Sequence, residues 1–200
     1  EKINYCFQKV FDDSCQNMDL YNHFGINILK DVVKNKKNIT FYVYGQTGSG
    51  KTHTLLGTRK EMGIVSALMY DMLQIKEPFT LSAVEIYNNK CYDLFQNKKQ
   101  VYLRSDVKQD FKWNEVKKKK IKNKKKIFEI MTTIQEKRQV GISSENNSSS
   151  RSHLVIQFHI QDRFIRILDL AGCEKAQDAI CASRKEFYEN GEINQNLFAL

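Results

Sequence analysis

The stretch ITFYVYGQTGSGKTHT, Ile39 to Thr54, starts as a run of β-branched and aromatic residues and breaks into glycines before a Lys-Thr pair. Ile39 to Tyr44 predicts a buried strand, because such a run bounded by turn residues is the signature of one. Gly45, Gly50, Lys51 and Thr52 then fit the spacing G-x-x-x-x-G-K-[ST]. In a loop of that kind successive backbone N–H groups point inward and cradle phosphate oxygens. The lysine reaches the β- and γ-phosphates, and the hydroxyl ligates Mg2+. Glycine is needed where the chain takes positive φ and passes close to the ligand. His53 onward can open a helix whose N-terminal dipole faces the anion. Strand, glycine loop and helix in this order predict a nucleotide site.

The rest of the chain sets the frame for that site. Its 200 residues are enough for one domain with a sizeable core. Hydrophobic residues make up 41% and Pro78 is the one proline, which excludes a disordered chain and a proline-rich linker. Cys6, Cys15, Cys91, Cys173 and Cys181 are odd in number and contain no C-x-x-C pair, so they read as reduced thiols rather than a disulfide framework or a zinc site. No apolar stretch approaches the roughly 18 residues of a membrane span, and EKINYC carries no signal-peptide pattern. The expectation is an intracellular protein without a membrane partner. The start without Met and the uncapped apolar pattern NLFAL at the end read as two cuts through a longer chain.

The net charge of +9 is concentrated. Residues 112–126, KWNEVKKKKIKNKKK, hold nine Lys and one Glu, net +8, which leaves +1 for everything else. One reading is a solvated lysine-rich loop; the other is contact with an acidic partner, either nucleic acid or an acidic protein surface. Lysine without interleaved aromatics or arginine argues against specific base recognition.

Hydrolysis of a nucleotide needs a group for Mg2+ from a second strand and a sensor for the γ-phosphate. RFIRILDLAGCEK, Arg163 to Lys175, offers both. An apolar strand ends in Asp169, which can hold a water of the Mg2+ shell, and Gly172 can turn its N–H to the γ-phosphate. Alone, this would be an ordinary strand followed by a D-x-x-G turn; the phosphate loop gives it meaning. ENNSSSRSHLVIQFHI, Glu145 to Ile160, adds a polar loop that feeds the strand Leu154 to Ile160. Serines alone would be a flexible loop. Arg151 among them, with Glu174 on another loop, permits an ion pair that opens and closes with the nucleotide.

GQTGSGKTHT, NNSSSRSH and DLAGCE, in this order, resemble the phosphate loop, switch I and switch II of the kinesin motor domain. FQKVFDD with Tyr21, VEIYNNKCYDLF from Val84 to Phe95, and GEINQNLFAL agree with that resemblance, which spans the whole chain. GISSENNSSSRSHLVIQF and the interval after Glu174, with Asp178, Arg184 and Glu192, are most similar to the internal-motor, microtubule-depolymerising kinesin-13 group. The family's first strand, with its Arg-x-Arg-Pro, would lie before residue 1. The rest of the switch II helix, the last strand and the final helices would follow Leu200. Residues 1–200 are therefore expected to be a partial motor domain, with any dimerisation resting on other segments.

The resemblance implies an ATP- and Mg2+-dependent, microtubule-stimulated ATPase in the cytoplasm, on the cytoskeleton and the spindle. Gly45, Gln46, Thr47, Gly48, Ser49, Gly50, Lys51 and Thr52 would wrap the phosphates, with Thr52 on Mg2+, and His53 is similar to the residue lying against adenine. Ser150 would approach Mg2+ and Ser149 the attacking water. Arg151 and Glu174 would form the salt bridge between the switches, Gly172 would sense the γ-phosphate, and Asp169 would hold Mg2+ through water. Tubulin would meet the lysines Lys117, Lys118, Lys119, Lys120, Lys122, Lys124, Lys125 and Lys126. The chain departs from the family at Gln195 and Asn196, where Lys and Ser are usual, at Cys173, and after Gly63-Ile64, where Pro-Arg is missing; none of these touches a phosphate or Mg2+ contact.

A small G protein would need N-K-x-D for guanine, and NKKN, NKCYD and NKKK all miss it. A degenerate kinesin-like module that binds microtubules without turnover is the other reading. The expected fold is α/β, of the P-loop NTPase type. It has a mixed, mainly parallel sheet with helices on both faces, incomplete at both ends, because strands alternate with helical patterns such as GIVSALMYDMLQI. SHLVIQFHI and RFIRILDL lie too close in sequence for a crossover helix and predict antiparallel neighbours.

Overall fold

The computed structural model describes residues 5–105, 111–113, 115–139 and 151–172. The first helix, α1 (Asn17–Leu29), opens where Asp19 accepts the Gln16 backbone N–H at 2.9 Å. It widens into a π turn, Lys30–Lys34, whose Val32 and Val33 carbonyls accept the buried guanidinium of Arg163. The strand β1 (Ile39–Val43) leads through the glycine loop into α2 (Lys51–Leu56), and a short turn joins it to α3 (Ile64–Gln74). The antiparallel pair β2 (Thr80–Tyr87) and β3 (Lys90–Asp93) is closed by Asn88 and Asn89, both at positive φ as a two-residue hairpin loop requires. Then come β4 (Lys99–Val101), a separate ribbon of β5 (Leu103–Ser105) with β6 (Phe111–Trp113), β7 (Lys119–Lys120) and α4 (Lys124–Gln139). The hairpin β8 (His153–Ile160) and β9 (Arg163–Asp169) completes the described chain.

The main sheet runs β1-β9-β8-β2-β3-β4, with β7 sharing the second edge of β2. It is mixed, as expected, and β8 and β9 are antiparallel neighbours. The expectation of a mainly parallel sheet does not hold among the described residues: β1 on β9 is the parallel ladder, and β9/β8, β8/β2, β2/β3, β2/β7 and β3/β4 are antiparallel. Short links between strands such as β2 and β3, and β8 and β9, leave no room for crossover helices, so the chain folds back on itself.

Strand alternation decides where the core lies. Leu81 and Ala83 of β2, Leu154, Ile156, Phe158 and Ile160 of β8, and Ile165 and Ile167 of β9 face one side and join Leu55, Leu68, Met72, Ile127, Ile130 and Ile134 of the helices. Burying a side chain such as Phe158 or Leu154 is worth about 1.5–3 kcal/mol, so this layer dominates stability. All four described helices share this face. The opposite face carries a small cluster of Val155, Leu168 and Leu170, and the chain beyond Gly172 lies outside the described residues. The strand β1 is half-buried rather than buried, because successive side chains alternate between the two faces: Ile39, Phe41 and Val43 pack on the core, while Tyr42 on the other face is 64% exposed. No helix among the described residues is long and apolar enough to cross a membrane.

Candidate functional site

The glycine loop leaves β1 and ends at Gly50, which caps α2 at φ 88°. Gly48, at φ 79°, also sits in the left-handed region, and no atom lies within 4 Å of where a Cβ would be at either glycine. The two residues are thus needed for their φ rather than for room. The helix begins two residues earlier than expected, at Lys51, with Thr54 N–H bonded to Gly50 O at 2.8 Å. Its first N–H groups therefore remain for a ligand, as at any helix start. Lys51 Nζ is held in the loop's mouth by Gly45 O at 2.7 Å and Gln46 O at 2.8 Å.

Beneath the loop the chain ends of two elements meet. Thr52 Oγ1 donates to Asp169 Oδ2 at 2.6 Å, joining residues from the first turn of α2 and the last position of β9. The β1/β9 register pairs Val43 with Asp169, so the parallel ladder delivers both to the same end of the sheet. Asp169 is 1% exposed, and its Oδ1 has no hydrogen-bond partner among the described residues. Two hard oxygens and an unsatisfied carboxylate atom beside a phosphate loop suit Mg2+, which takes one or two protein groups and fills its shell with water and phosphate.

The Asp169 charge is answered by Arg138, at the end of α4, whose guanidinium also donates to Ser152 O at 3.0 Å. Ser152 Oγ donates to Glu85 Oε1 at 2.9 Å, and Lys98 Nζ meets Glu85 Oε2 at 2.9 Å. A buried, charge-balanced chain thus ties β2, the mouth of β8, α4 and β9 to α2. Such a network is costly to break, because each partner lost strands a charge without water. His153 lies within it. Its Nδ1 accepts Ala171 N–H at 3.0 Å, which places the proton on Nε2. Burial pushes its pKa down to about 4, the Arg138 charge adds to this, and Asp169 opposes.

Of the predicted site residues, the structure brings Lys51, Thr52 and Asp169 together and places Gly172, buried, three residues past Asp169. Arg151 is half-buried in the turn before β8. Ser149, Ser150 and Glu174, and with them the salt bridge between the switches, lie outside the described residues, as do Cys173 and Cys181. Cys6, Cys15 and Cys91 are free thiols. The lysine run keeps most of its side chains in solvent, as the first reading expected, but it is not a loop throughout. Lys117 N–H donates to buried Asp93 at 2.7 Å, Lys119 and Lys120 pair with β2 and the Lys119 ammonium lies 5.9 Å from the centre of the Phe95 ring. Ile121 is buried, and Lys124, Lys125 and Lys126 form the first turn of α4.

Sequence reading missed Arg138 and Glu85. Both had a signal. Arg138 continues the spacing of the buried Ile127, Ile130, Met131 and Ile134, and Glu85 continues the inward parity of Leu81 and Ala83. It also missed Glu61, whose carboxylate lies 3.2 Å from His53 Nε2. An open cavity of about 610 Å³ lies beside Glu61, between the turn, α3 and α4, and does not include the phosphate loop.

The kinesin motor domain model matches residues 1–200. Kinesin-like protein KIF24 of Homo sapiens is 32% identical over 210 residues, covering 98% of this chain and 15% of that protein. Kinesin-like protein KIF18A of Mus musculus is 31% identical over 219 residues, covering 99% of this chain and 24% of that protein. The chain thus spans less than a quarter of the length of these relatives. The structure of a fast kinesin superimposes with a TM-score of 0.80 at 22% identity, over 93% of this chain and 59% of that one. With a phosphate loop at the end of β1, a buried aspartate beside it and this match over its full length, the chain belongs to the kinesin motor domain family.

Proposed function

We propose that residues 1–200 form the nucleotide-binding part of an ATP-hydrolysing kinesin that works on microtubules, as a motor or as a depolymerising enzyme of the kinesin-13 type. The observation that carries this reading is the 2.6 Å contact between Thr52 and Asp169 at the foot of the glycine loop. It joins a hydroxyl and a carboxylate beside the glycine loop, a pairing that supports a site for a nucleoside triphosphate and its cation. Thr52, Ser150 and Asp169 would hold Mg2+, which would supply charge neutralisation at the phosphates. Lys51 exchanges two carbonyl acceptors for phosphate oxygens, a stronger, charge-assisted partnership. His53 lies beside the base.

Phosphoryl transfer asks for positioning and charge stabilisation, and loops that touch the γ-phosphate become its switch. Ser149 orients the attacking water, and Arg151 with Glu174 orders the path by which it loses its proton. Gly172 follows the γ-phosphate by its N–H. The segment from Glu192 passes the change to a tubulin-binding face that includes the lysines from Lys117 to Lys126. The fast kinesin that shares this fold has an ATPase mechanism and interacts with microtubules. The cytoplasmic microtubule cytoskeleton, spindle included, is the corresponding location, and the match to 59% of a solved chain supports a larger motor domain of which this is part.

ATP turnover of the full chain, with and without stabilised microtubules and free tubulin, tests the reading. Turnover raised by polymer or tubulin and abolished by both Lys51→Ala and Glu174→Ala is expected; shrinking filaments in the same tube would support the depolymerising form. Tight nucleotide binding without turnover would replace it with a degenerate microtubule-binding module.

A further inference from the structure

The turn between α2 and α3 holds one carboxylate in a position the phosphate loop does not explain. Thr58 Oγ1 accepts the N–H groups of Lys60 and Glu61, each at 3.2 Å, and Thr58 N–H donates to Glu61 O at 2.8 Å. Gly57 forms a bridge with Met62, and a Cβ on Gly57 or Gly63 would lie within 2.4 Å of the other's backbone nitrogen. The backbone of Glu61 is therefore fixed by a compact turn. Its side chain forks: Oε1 accepts the Asn17 N–H at 2.7 Å, and Oε2 lies 3.2 Å from His53 Nε2. Asn17, itself buried, donates from Nδ2 to His53 O at 3.2 Å. His53 is thus gripped at its main chain by Asn17 and at its ring by Glu61, while 44% of its side chain stays exposed one residue beyond Thr52.

We propose that Glu61 is a positioning residue for nucleotide-base recognition, acting through His53. The inference rests on the reading of this loop as a nucleotide site and names the part of it that tells a nucleotide from a bare polyphosphate. The phosphates supply most of the charge and are common to every ligand of the loop. Only a contact to the base adds discrimination. An imidazole left to rotate samples several rotamers, whereas one anchored at Nε2 presents a single ring orientation, and the ordering cost is met on folding rather than on binding. The same carboxylate takes an N–H from the first turn of α1, one of the four a helix leaves unpaired, so base recognition, α1 and the α2–α3 turn share one group.

The test compares affinities of the full chain for ADP and for inorganic pyrophosphate by calorimetry, in the wild type, Glu61→Ala, Glu61→Gln, His53→Ala and the double variant Glu61→Ala/His53→Ala. Glu61→Ala is expected to weaken ADP binding about tenfold and leave pyrophosphate unchanged, with the double variant no weaker than His53→Ala alone. Glu61→Gln keeps the acceptor for Asn17 and a hydrogen-bonding group for the ring but loses the charge. It should melt like the wild type and show an ADP-only loss of about threefold. If Glu61→Ala does not fold, Glu61→Gln decides by the same ratio. Equal losses for the two ligands, or no loss for ADP, would overturn the proposal and leave the nucleotide reading standing. A wild-type chain that binds neither ligand would overturn both.

Discussion

At the residue scale the site depends on buried groups whose charge is set by neighbours. His153 is held neutral, with its pKa near 4 against an ordinary 6.5. Between those values the unfolded chain binds the proton and the folded one does not, so stability falls as the pH drops through this window. The loss at pH 4 is on the order of 2–3 kcal/mol. Urea denaturation from pH 7 to pH 4 should show it, and His153→Gln should flatten that part of the profile. His159, also pushed down to about 4 by burial and by Lys118 and Arg166, adds a slope of the same sign that persists in the variant. Arg138→Ala should cost about 3–5 kcal/mol by the same denaturation at pH 7, because Asp169 would be left as a buried charge without its cation. Arg138→Met, which keeps the volume without the charge, should not rescue it while Asp169 remains.

At the scale of elements, α4 is a helix whose N-terminus works against itself. Lys124, Lys125 and Lys126 place three cations where the backbone dipole is already positive, with no acidic residue in that turn. Asn123 compensates by accepting the Lys126 N–H at 2.9 Å. Removing that cap in Asn123→Ala should lower stability by about 1 kcal/mol. Asn123→Asp should raise it by about 0.5 kcal/mol, since the cap remains and a carboxylate now faces the dipole. Thermal melts of the two variants, moving in opposite directions, check this. In the α2–α3 turn, Gly63→Ala drives a methyl group into the Gly57, Leu55 and Leu56 main chain, each 2.4 Å away, and should cost about 3 kcal/mol in the same assay.

At the scale of the whole molecule, charge and fold part company. The excess of lysine comes from one sequence segment, yet the fold spreads it over the entry to β7, β7 itself and the start of α4, with Lys118, Lys120, Lys122, Lys124 and Lys125 exposed. The contact with microtubules proposed for this face should weaken steeply from low salt to physiological ionic strength, as screening shortens its reach. Lys120→Gln, Lys122→Gln and Lys125→Gln together should flatten the salt dependence measured by cosedimentation while leaving nucleotide affinity unchanged.

The phosphate loop was legible in the sequence because its chemistry is local. Gly45 to Thr52 are contiguous, and the turn they make rests on backbone conformation at Gly48 and Gly50. The strands β1, β8 and β9 were legible for the same reason, as short apolar runs within a few residues. The sequence by itself determined the family, the strand and helix that flank the loop, and the pairing of β8 with β9. Tertiary structure alone decided that β8 lies antiparallel against β2, joining the two hairpins into one sheet, since strand order depends on contacts between distant segments. It also decided that Arg138 answers Asp169 and that Glu61 holds His53. A charged residue on an apolar stripe announces that it has a partner, but which one follows only when packing brings separate elements within hydrogen-bond reach.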